Sequence, residues 1–491
     1  MPDSAKTLAV ALMASALTAA WLLYLGRPDF PMDDPYIIQH SIHGLFLGYE
    51  DRFIGGQPLD GITSPAFLLP IVLLSTILPS IWAHALINAA AAVLYIAGVF
   101  RFAISAGLPT IWAALIAALG TLAGLTLWQL FNGLETGLAM AAVIWTLRWF
   151  RDPLPDKPWK FALLGILPFI RPELAALSLV VTVRVCWSAI KTRPSAAWIV
   201  SCIAYAAAGV VPVVAFLLLN NVPLMPNTAS AKAYFFAEGC RPLLHRFVLT
   251  ITMSGGFFAT IGLAVLGIVG LPLSRWGWRA AAFIAILFAT YIVTLPSAPG
   301  HNFHRYLYVL IPFIMVGWVA MVSSFMTRVR RLSMVGLVAA VGLAAVHLEQ
   351  VWRLYNEQLD LYSRVEMPDL SDWIVANIPS SETIAIHDAG YISLHGAHPL
   401  VDIVGLKTPA SIEAHKRHTY QSCSRDARAL DQIARQHDAR YFVVLDHWDE
   451  VFRLTGSLRL IGWTVTRIDT ERGDTPYKVY RLTSPDVHAP D

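Results

Sequence analysis

The chain has 491 residues, of which 56% are hydrophobic and 14% charged, with a net charge of +3. Soluble proteins carry about 25% charged residues, so a wholly soluble globule is excluded. So small a net charge leaves no electrostatic footprint for nucleic acid.

The apolar run 8–25 resembles a signal peptide, but no small-x-small cleavage pattern follows it. A retained first span over 5–26 is therefore expected. Next comes Pro31-Met32-Asp33-Asp34-Pro35-Tyr36. Acids this close to a span are costly unless they face water, protein or a ligand. One reading is capping, with Asp34 as N-cap and Pro35 in the first turn of a helix. The other is chemical, a carboxylate acting as general base on a hydroxyl. Both hold together if one acid caps and the other acts. His40 and His43 follow at helical spacing, and packing or hydroxyl contacts suit them better than a metal.

Further spans are expected at 63–79, 82–104, 196–219, 247–271, 279–296, 305–325 and 333–352. Each is close to the roughly 20 residues that cross the hydrocarbon. Three stretches are irregular. Residues 109–131 carry Gly120 and Gly124, 136–150 is short, and 160–190 is interrupted by Pro168, Arg171, Pro172 and Glu173. Basic clusters mark four links as cytoplasmic: Arg148, Arg151, Lys157 and Lys160; Lys191 and Arg193; Arg275 and Arg279; Arg328, Arg330 and Arg331. Parity then makes 160–190 cross twice, turning at Arg171-Pro172, and splits 109–131 into two short helices. The expectation is a polytopic α-helical membrane protein of about thirteen helices with a cytoplasmic N-terminus. The 27–62 loop, the 132–135 turn, loops 220–246 and 297–304 and the tail then share the outer side. Broken helices are tolerated where they line a cavity, so an outward-opening cavity is expected.

The polar links each have two readings. Glu135, in Gly133-Leu134-Glu135-Thr136-Gly137, meets a sugar hydroxyl or caps the next helix. Arg171 either closes its turn with Glu173 or offers a cation to an anionic ligand. Lys232, ending Pro226-Asn227-Thr228-Ala229-Ser230-Ala231-Lys232, is an interfacial anchor or meets a phosphate at the lipid surface. His301-Asn302-Phe303-His304-Arg305-Tyr306 is an interfacial belt or a phosphate site, since arginine forks match phosphate geometry.

From about residue 353 the composition is that of a soluble protein, so the expected division is a membrane domain over 1–352 and a soluble domain over 353–491. Helices are expected at 369–376 and 425–436, and strands at 383–387, 441–445, 460–467 and 477–482. This pattern describes a small α/β domain without a phosphate loop or nucleophile elbow. Asp388-Ala389-Gly390 and Val401-Asp402-Ile403-Val404-Gly405-Leu406 are strand-end turns, or an edge that helps to hold an acceptor. Cys186 and Cys202 are expected to be packing residues. Cys240 and Cys423 either stay apart or pair on an oxidising face.

These pieces together resemble the polytopic glycosyltransferases of the GT-C fold, and most resemble the mycobacterial terminal arabinofuranosyltransferase family. The resemblance rests on Asp33-Asp34-Pro35-Tyr36-Ile37-Ile38, Thr63-Ser64, Gly133-Leu134-Glu135 and Pro226-Asn227-Thr228…Ala231-Lys232, in that order. Pro35 stands where the family has a glycine, and His40 where it tends to have an arginine. The resemblance implies an inverting transfer of a monosaccharide, arabinofuranose in that family, from a polyprenyl-phosphate donor. The acceptor is a glycan or glycolipid at the outer face of the cytoplasmic (inner) membrane, and the C-terminal α/β domain is extracytoplasmic. Asp33 or Asp34 would be the base. Lys232, His304, Arg305 and Arg171 would meet the donor phosphate. Glu135, His40, His43, Asn227 and His301 would meet sugar or acceptor. No cofactor is required, and a divalent metal near the acids is compatible with the pattern without being demanded by it. The alternative is a flippase or transporter of a lipid-linked sugar, against which stands the lack of an internal repeat. A membrane sensor with a ligand-binding tail is a third reading.

Overall fold

The computed structural model describes residues 26–485 except 48–51, 153, 223–225, 326–329, 425, 471 and 473–474, together with Thr18 and Trp21. The expected first span, apart from Thr18, Trp21 and Gly26, lies outside the described residues, as does Arg328. The chain forms two compact units. The first comprises Met1–Pro28, Ser64–Leu219 and Phe247–Tyr355; the second comprises Asp29–Thr63, Asn220–Arg246 and Asn356–Asp491.

The first unit is helical. Among the described residues of the chain, 6 helices are long and apolar enough to cross a membrane. The count rises to 7 if Leu243–Thr260 and Gly262–Leu273, bent by 113°, make one span. Pro65–Ser75, Thr110–Leu122 and Pro158–Ile170 are shorter and apolar. With this share of exposed hydrocarbon the chain is an integral membrane protein.

The irregular stretches break for identifiable reasons. Residues 109–131 form two helices, Thr110–Leu122 and Thr126–Phe131, and Gly124 between them takes a φ of +55°. The Phe161–Ile170 helix stops at Arg171, which is extended (φ −155°, ψ 134°) because Pro172 disfavours the helical region for the residue before it. The chain resumes at once through Pro172–Leu174 into Ala175–Thr192. Gly165 and Gly209 let two helices touch: a Cβ on either would lie 2.1 Å from a carbonyl of the other helix. Two of the expected cytoplasmic links also meet. Arg275 pairs with Asp152 at 2.6 Å, and Arg184 donates to the Arg151 carbonyl at 2.7 Å. Cys186 is exposed on its helix rather than packed, whereas Cys202 is buried.

The second unit holds a five-stranded sheet of order β2-β1-β3-β5-β4, with β1 Thr383–Ile386, β2 Leu400–Asp402, β3 Ala439–Leu445, β4 Thr464–Ile468 and β5 Tyr477–Thr483. The β2-β1-β3 part is parallel and β3-β5-β4 antiparallel. The strand expected at 460–467 begins later than its apolar run: Leu454–Leu460 is a helix that buries Leu454 and Leu458, so only the second half pairs. Two large apolar clusters and a smaller one of Val401, Ala414 and Ile433 form the core. One of the large clusters contains Phe442, Val444, Trp463 and, from the 220–246 segment, Phe235. The other contains Ile384, Ile386, Val443 and, from the first loop, Ile37 and Phe53. The first loop also extends the sheet, since Phe53 bridges Leu400 in parallel and the Ile54 N–H donates to the Leu400 carbonyl at 3.0 Å.

Three polar devices tie these segments together. Cys240 and Cys423 form a disulfide, with Cα atoms 5.7 Å apart. Lys407, fully buried, donates through Nζ to the carbonyls of Gln57 at 3.1 Å and Pro58 at 3.0 Å. Asp402 accepts from the N–H groups of Val404 at 2.8 Å and Lys407 at 2.9 Å, which folds 402–407 into a tight turn. Burial pushes the Asp402 carboxyl up to about 6 against the pull of those N–H groups.

Candidate functional site

The expected site residues fall in both units. In the first unit the 132–135 turn, the break at Arg171 and the head of the Arg305–Leu310 helix converge. Gly133 turns with a φ of +84°, its carbonyl accepts from His84 Nε2 at 2.7 Å, and Asn132 Oδ1 accepts the Leu134 N–H at 3.0 Å. Glu135 is thereby presented to two arginines. Arg305 donates to Glu135 Oε1 at 3.2 Å, and Arg171 Nε lies 3.7 Å from the same oxygen. Arg171 also pairs with Glu173 and donates to the Arg305 carbonyl at 3.2 Å. Both guanidinium groups lie over the Tyr306 ring, at 4.8 and 5.2 Å from its centroid. Arg171 is 2% exposed and Arg305 4%. The cluster holds two cations and two carboxylates, so its charges balance within the unit.

The His301–His304 turn beside this cluster is held against its own preference. Asn302, Phe303 and His304 take φ values of 47°, 57° and 63°. Each left-handed residue costs about 1 kcal/mol or more. Gln129 Nε2 donates to the carbonyls of Phe303 at 3.1 Å and Asn302 at 3.3 Å, and Phe303 packs edge-on against Trp128 at 4.7 Å. His301 Nε2 meets Ser297 Oγ at 2.9 Å, and His304 Nδ1 meets the Pro299 carbonyl at 2.9 Å. Sequence reading missed Gln129. Its signal was a lone amide in the apolar run Leu127-Trp128-Gln129-Leu130-Phe131. Ser64, of the Thr63-Ser64 pair, donates to the Ile170 carbonyl at 2.6 Å and so braces the chain just before Arg171.

In the second unit Asp33 is 5% exposed. Its Oδ2 accepts the Gly390 N–H at 2.6 Å and its Oδ1 the Tyr391 N–H at 2.7 Å. Gly390 is required for this approach, because a Cβ there would sit 2.2 Å from the Asp33 carbonyl. Tyr36 packs edge-on against Tyr391 at 5.1 Å, and its hydroxyl donates to Ser363 Oγ at 2.7 Å. Asp34 is half-buried and opens the Asp34–Leu47 helix, where the positive end of the helix dipole suits a carboxylate. Asp388 accepts from the Tyr477 hydroxyl and lies 3.1 Å from His387 Nε2. Burial, and then the charge of Asp388, hold the Asp33 carboxyl well above the usual carboxylate range, and the two N–H donors only partly offset them. Asp388 itself is held low by His387 and Tyr477, which outweigh its own burial.

The remaining expected residues of this unit lie on either side of the Asp34–Leu47 helix and on Asn227–Phe236. His40 is buried edge-on to Phe53 at 5.8 Å. His43 is half-buried, and its basicity is lowered by that burial. Asn227 donates to Asp60 Oδ1 and to the Leu406 carbonyl, both at 3.2 Å, and accepts the Gly61 N–H at 3.3 Å, so it joins three segments. Lys232 is half-buried. Among the described residues no group of three His, Cys, Asp or Glu side chains could hold a metal ion.

The fold has relatives of known structure. ArnT from Cupriavidus metallidurans, bound to undecaprenyl phosphate, superposes with a TM-score of 0.53 at 14% identity, over 99% of this chain and 98% of ArnT. Its apo state gives 0.50 at 13% identity over the same shares. An oligosaccharyltransferase from Archaeoglobus fulgidus, complexed with Zn and sulfate, gives 0.45 at 15% identity over 93% of this chain and 72% of its own. The likeness to ArnT shows that the chain has the GT-C fold. Residues 350–480 match a family model described as a domain of unknown function (DUF8728). No curated protein matches the chain by sequence.

Proposed function

We propose that the chain is an inverting glycosyltransferase that moves a monosaccharide from a polyprenyl-phosphate donor to a hydroxyl of a glycan or glycolipid. The single observation that carries the reading is the likeness to ArnT over nearly the whole of both chains, since that relative is seen with undecaprenyl phosphate bound. Asp33 suits the general base. Burial raises its carboxyl toward the range in which a base works at neutral pH. Each of its oxygens keeps a lone pair beyond the one that accepts a backbone N–H. Asp34, the first residue of its helix rather than its N-cap, fits the structural part of the acidic pair through the helix dipole. The acceptor hydroxyl gives its proton to Asp33, its oxygen bonds the anomeric carbon, and the bond from that carbon to the phosphate oxygen breaks. Polyprenyl phosphate leaves as a monoester. Arg171 and Arg305 suit its growing charge, with Lys232 and His304 as further donors, and Glu135, His40, His43, Asn227 and His301 complete the expected set. These steps need no cofactor.

Basic links and the Cys240–Cys423 disulfide support an extracytoplasmic second unit, because disulfides persist in oxidising compartments. Thirteen helices, the cytoplasmic membrane and arabinofuranose as the sugar belong to this same reading. The test incubates the purified chain, and separate D33N and D34N variants, with a panel of polyprenyl-phosphate sugars and assays released polyprenyl phosphate. D33N is expected to lose about 100- to 10,000-fold in kcat. Unchanged transfer in both variants removes the base, and movement of the lipid-linked sugar without bond cleavage makes the chain a flippase.

A further inference from the structure

We propose that Asp388, from the loop after β1, is a positioning residue for the proposed reaction: anchored by Tyr477 and His387, it holds in place the loop whose Gly390 and Tyr391 N–H groups aim the Asp33 carboxylate. The inference rests on the reading of Asp33 as base. Asp388 touches neither sugar nor phosphate in this scheme and acts through Asp33.

The geometry is that of a carboxylate held from outside its own segment. Gly390 and Tyr391 deliver two backbone N–H groups to Asp33 from 357 and 358 residues away in sequence. Two and three residues before them, Asp388 is fixed by the Tyr477 hydroxyl and by His387. His387 in turn is wedged between Trp448, with ring centroids 4.6 Å apart, and Tyr477 at 6.2 Å. Asp388 therefore stays ionised, two residues along the chain from the Gly390 N–H that holds the buried Asp33 carboxylate. Two like charges in one site drive up the proton affinity of one of them. The groups that bear on Asp33 are Asp388, Asp34 and the N–H groups of Gly390 and Tyr391. Tyr362 and Tyr477 feel both acids, and Tyr362 hydrogen-bonds Tyr477. Burial raises Asp33 most, the negative charge of Asp388 adds to it, and the two N–H donors oppose both. A loop in the soluble part of the fold would thus govern the acid limb of the reaction.

The test is the pH dependence of kcat for the full-length protein in detergent, with any polyprenyl-phosphate sugar that it turns over. D388N should lower kcat by up to about 10-fold and move the acid limb to lower pH, with KM for the donor within about twofold. Y477F removes the hydroxyl that helps to hold Asp388 ionised, so Asp388 loses part of its charge as the pH falls, and the limb should move the same way by less. A merely structural role would alter stability and leave the limb in place, so a fixed limb in both variants overturns the inference. Infrared titration of 13C-aspartate-labelled protein, with D33N to assign the band, reads the same shift without turnover. A chain that transfers no sugar refutes the proposed function, whereas an Asp33 band that stays put in D388N refutes the inference.

Discussion

Glu135→Gln tests the arginine cluster, because it removes one charge from two ion pairs while keeping the shape. Arg305 lies 3.2 Å and Arg171 3.7 Å from Glu135 Oε1, and all three side chains are at most 5% exposed. With an effective dielectric of about 20, a unit charge at these distances is worth about 4–5 kcal/mol, and breaking one buried pair costs about 3–5 kcal/mol. Arg171 keeps Glu173 in the variant, so the loss falls mainly on Arg305. E135Q should therefore be about 3–5 kcal/mol less stable than the parent. If the two arginines are a phosphate site, a bound phosphate monoester replaces the missing anion. Polyprenyl phosphate should then raise the melting temperature of E135Q more than that of the parent. Thermal melting in detergent, with and without polyprenyl phosphate, measures both effects. An E135Q variant that melts with the parent refutes the energetic argument. Equal stabilisation of the two by the lipid refutes the phosphate site.

Two further predictions concern the second unit. Burial lowers His415 to about 4, whereas burial raises Asp402 to about 6. The His415 contribution is therefore present above the ordinary 6.5 and is lost as pH falls toward 4. The Asp402 contribution is present below the ordinary 3.8 and is lost as pH rises through 6. Each shift is worth about 3 kcal/mol, so between pH 4 and 6 the two oppose one another. Relative to the parent, H415N should gain stability on acidification and D402N should lose it, which chemical denaturation at several pH values would show. Parallel pH profiles for the three proteins would contradict this. Cys423→Ser should cost about 2–5 kcal/mol. Reductant should lower the melting temperature of the parent but not of the variant, and an unmoved parent would show that the disulfide contributes nothing.

Much of the first unit could be read from local chemistry. Pro172 disfavours the helical region for the residue before it, so the break at Arg171 was visible, and Gly124 marked the split of 109–131. The sequence left Arg171 open to closing its turn with Glu173 or to offering a cation to an anionic ligand, and the structure shows the pair, with Glu135 added. What the sequence hides is long-range. Nothing near Gly390 says that its missing Cβ makes room for Asp33, because the two are 357 residues apart. Asn227 and Lys407 join distant segments through their polar atoms, and their neighbours in sequence do not announce those partners. The late start of β4 was missed because Leu458 and Leu460 are as apolar as a strand, while Leu458 is in fact the buried face of a helix. Tyr391 gave no signal at all, since a tyrosine after a strand-end glycine is ordinary in any α/β domain.

Building one globule from three stretches of chain restricts how it can be dissected. A fragment cut at Asn356 would leave a hole where Phe235 sits, bare the β2 edge that Phe53 covers, and strand Cys423 as an unpaired thiol. The region matched by the DUF8728 model has this same defect, because it begins at residue 350 and includes neither of the other two stretches. A soluble version would have to graft 29–63 and 220–246 back onto the tail through designed linkers. During synthesis, too, the ribosome releases the acid-bearing stretch more than 300 residues before the glycine that receives it. Asp33 must therefore wait, undocked, until the whole of the first unit has been made.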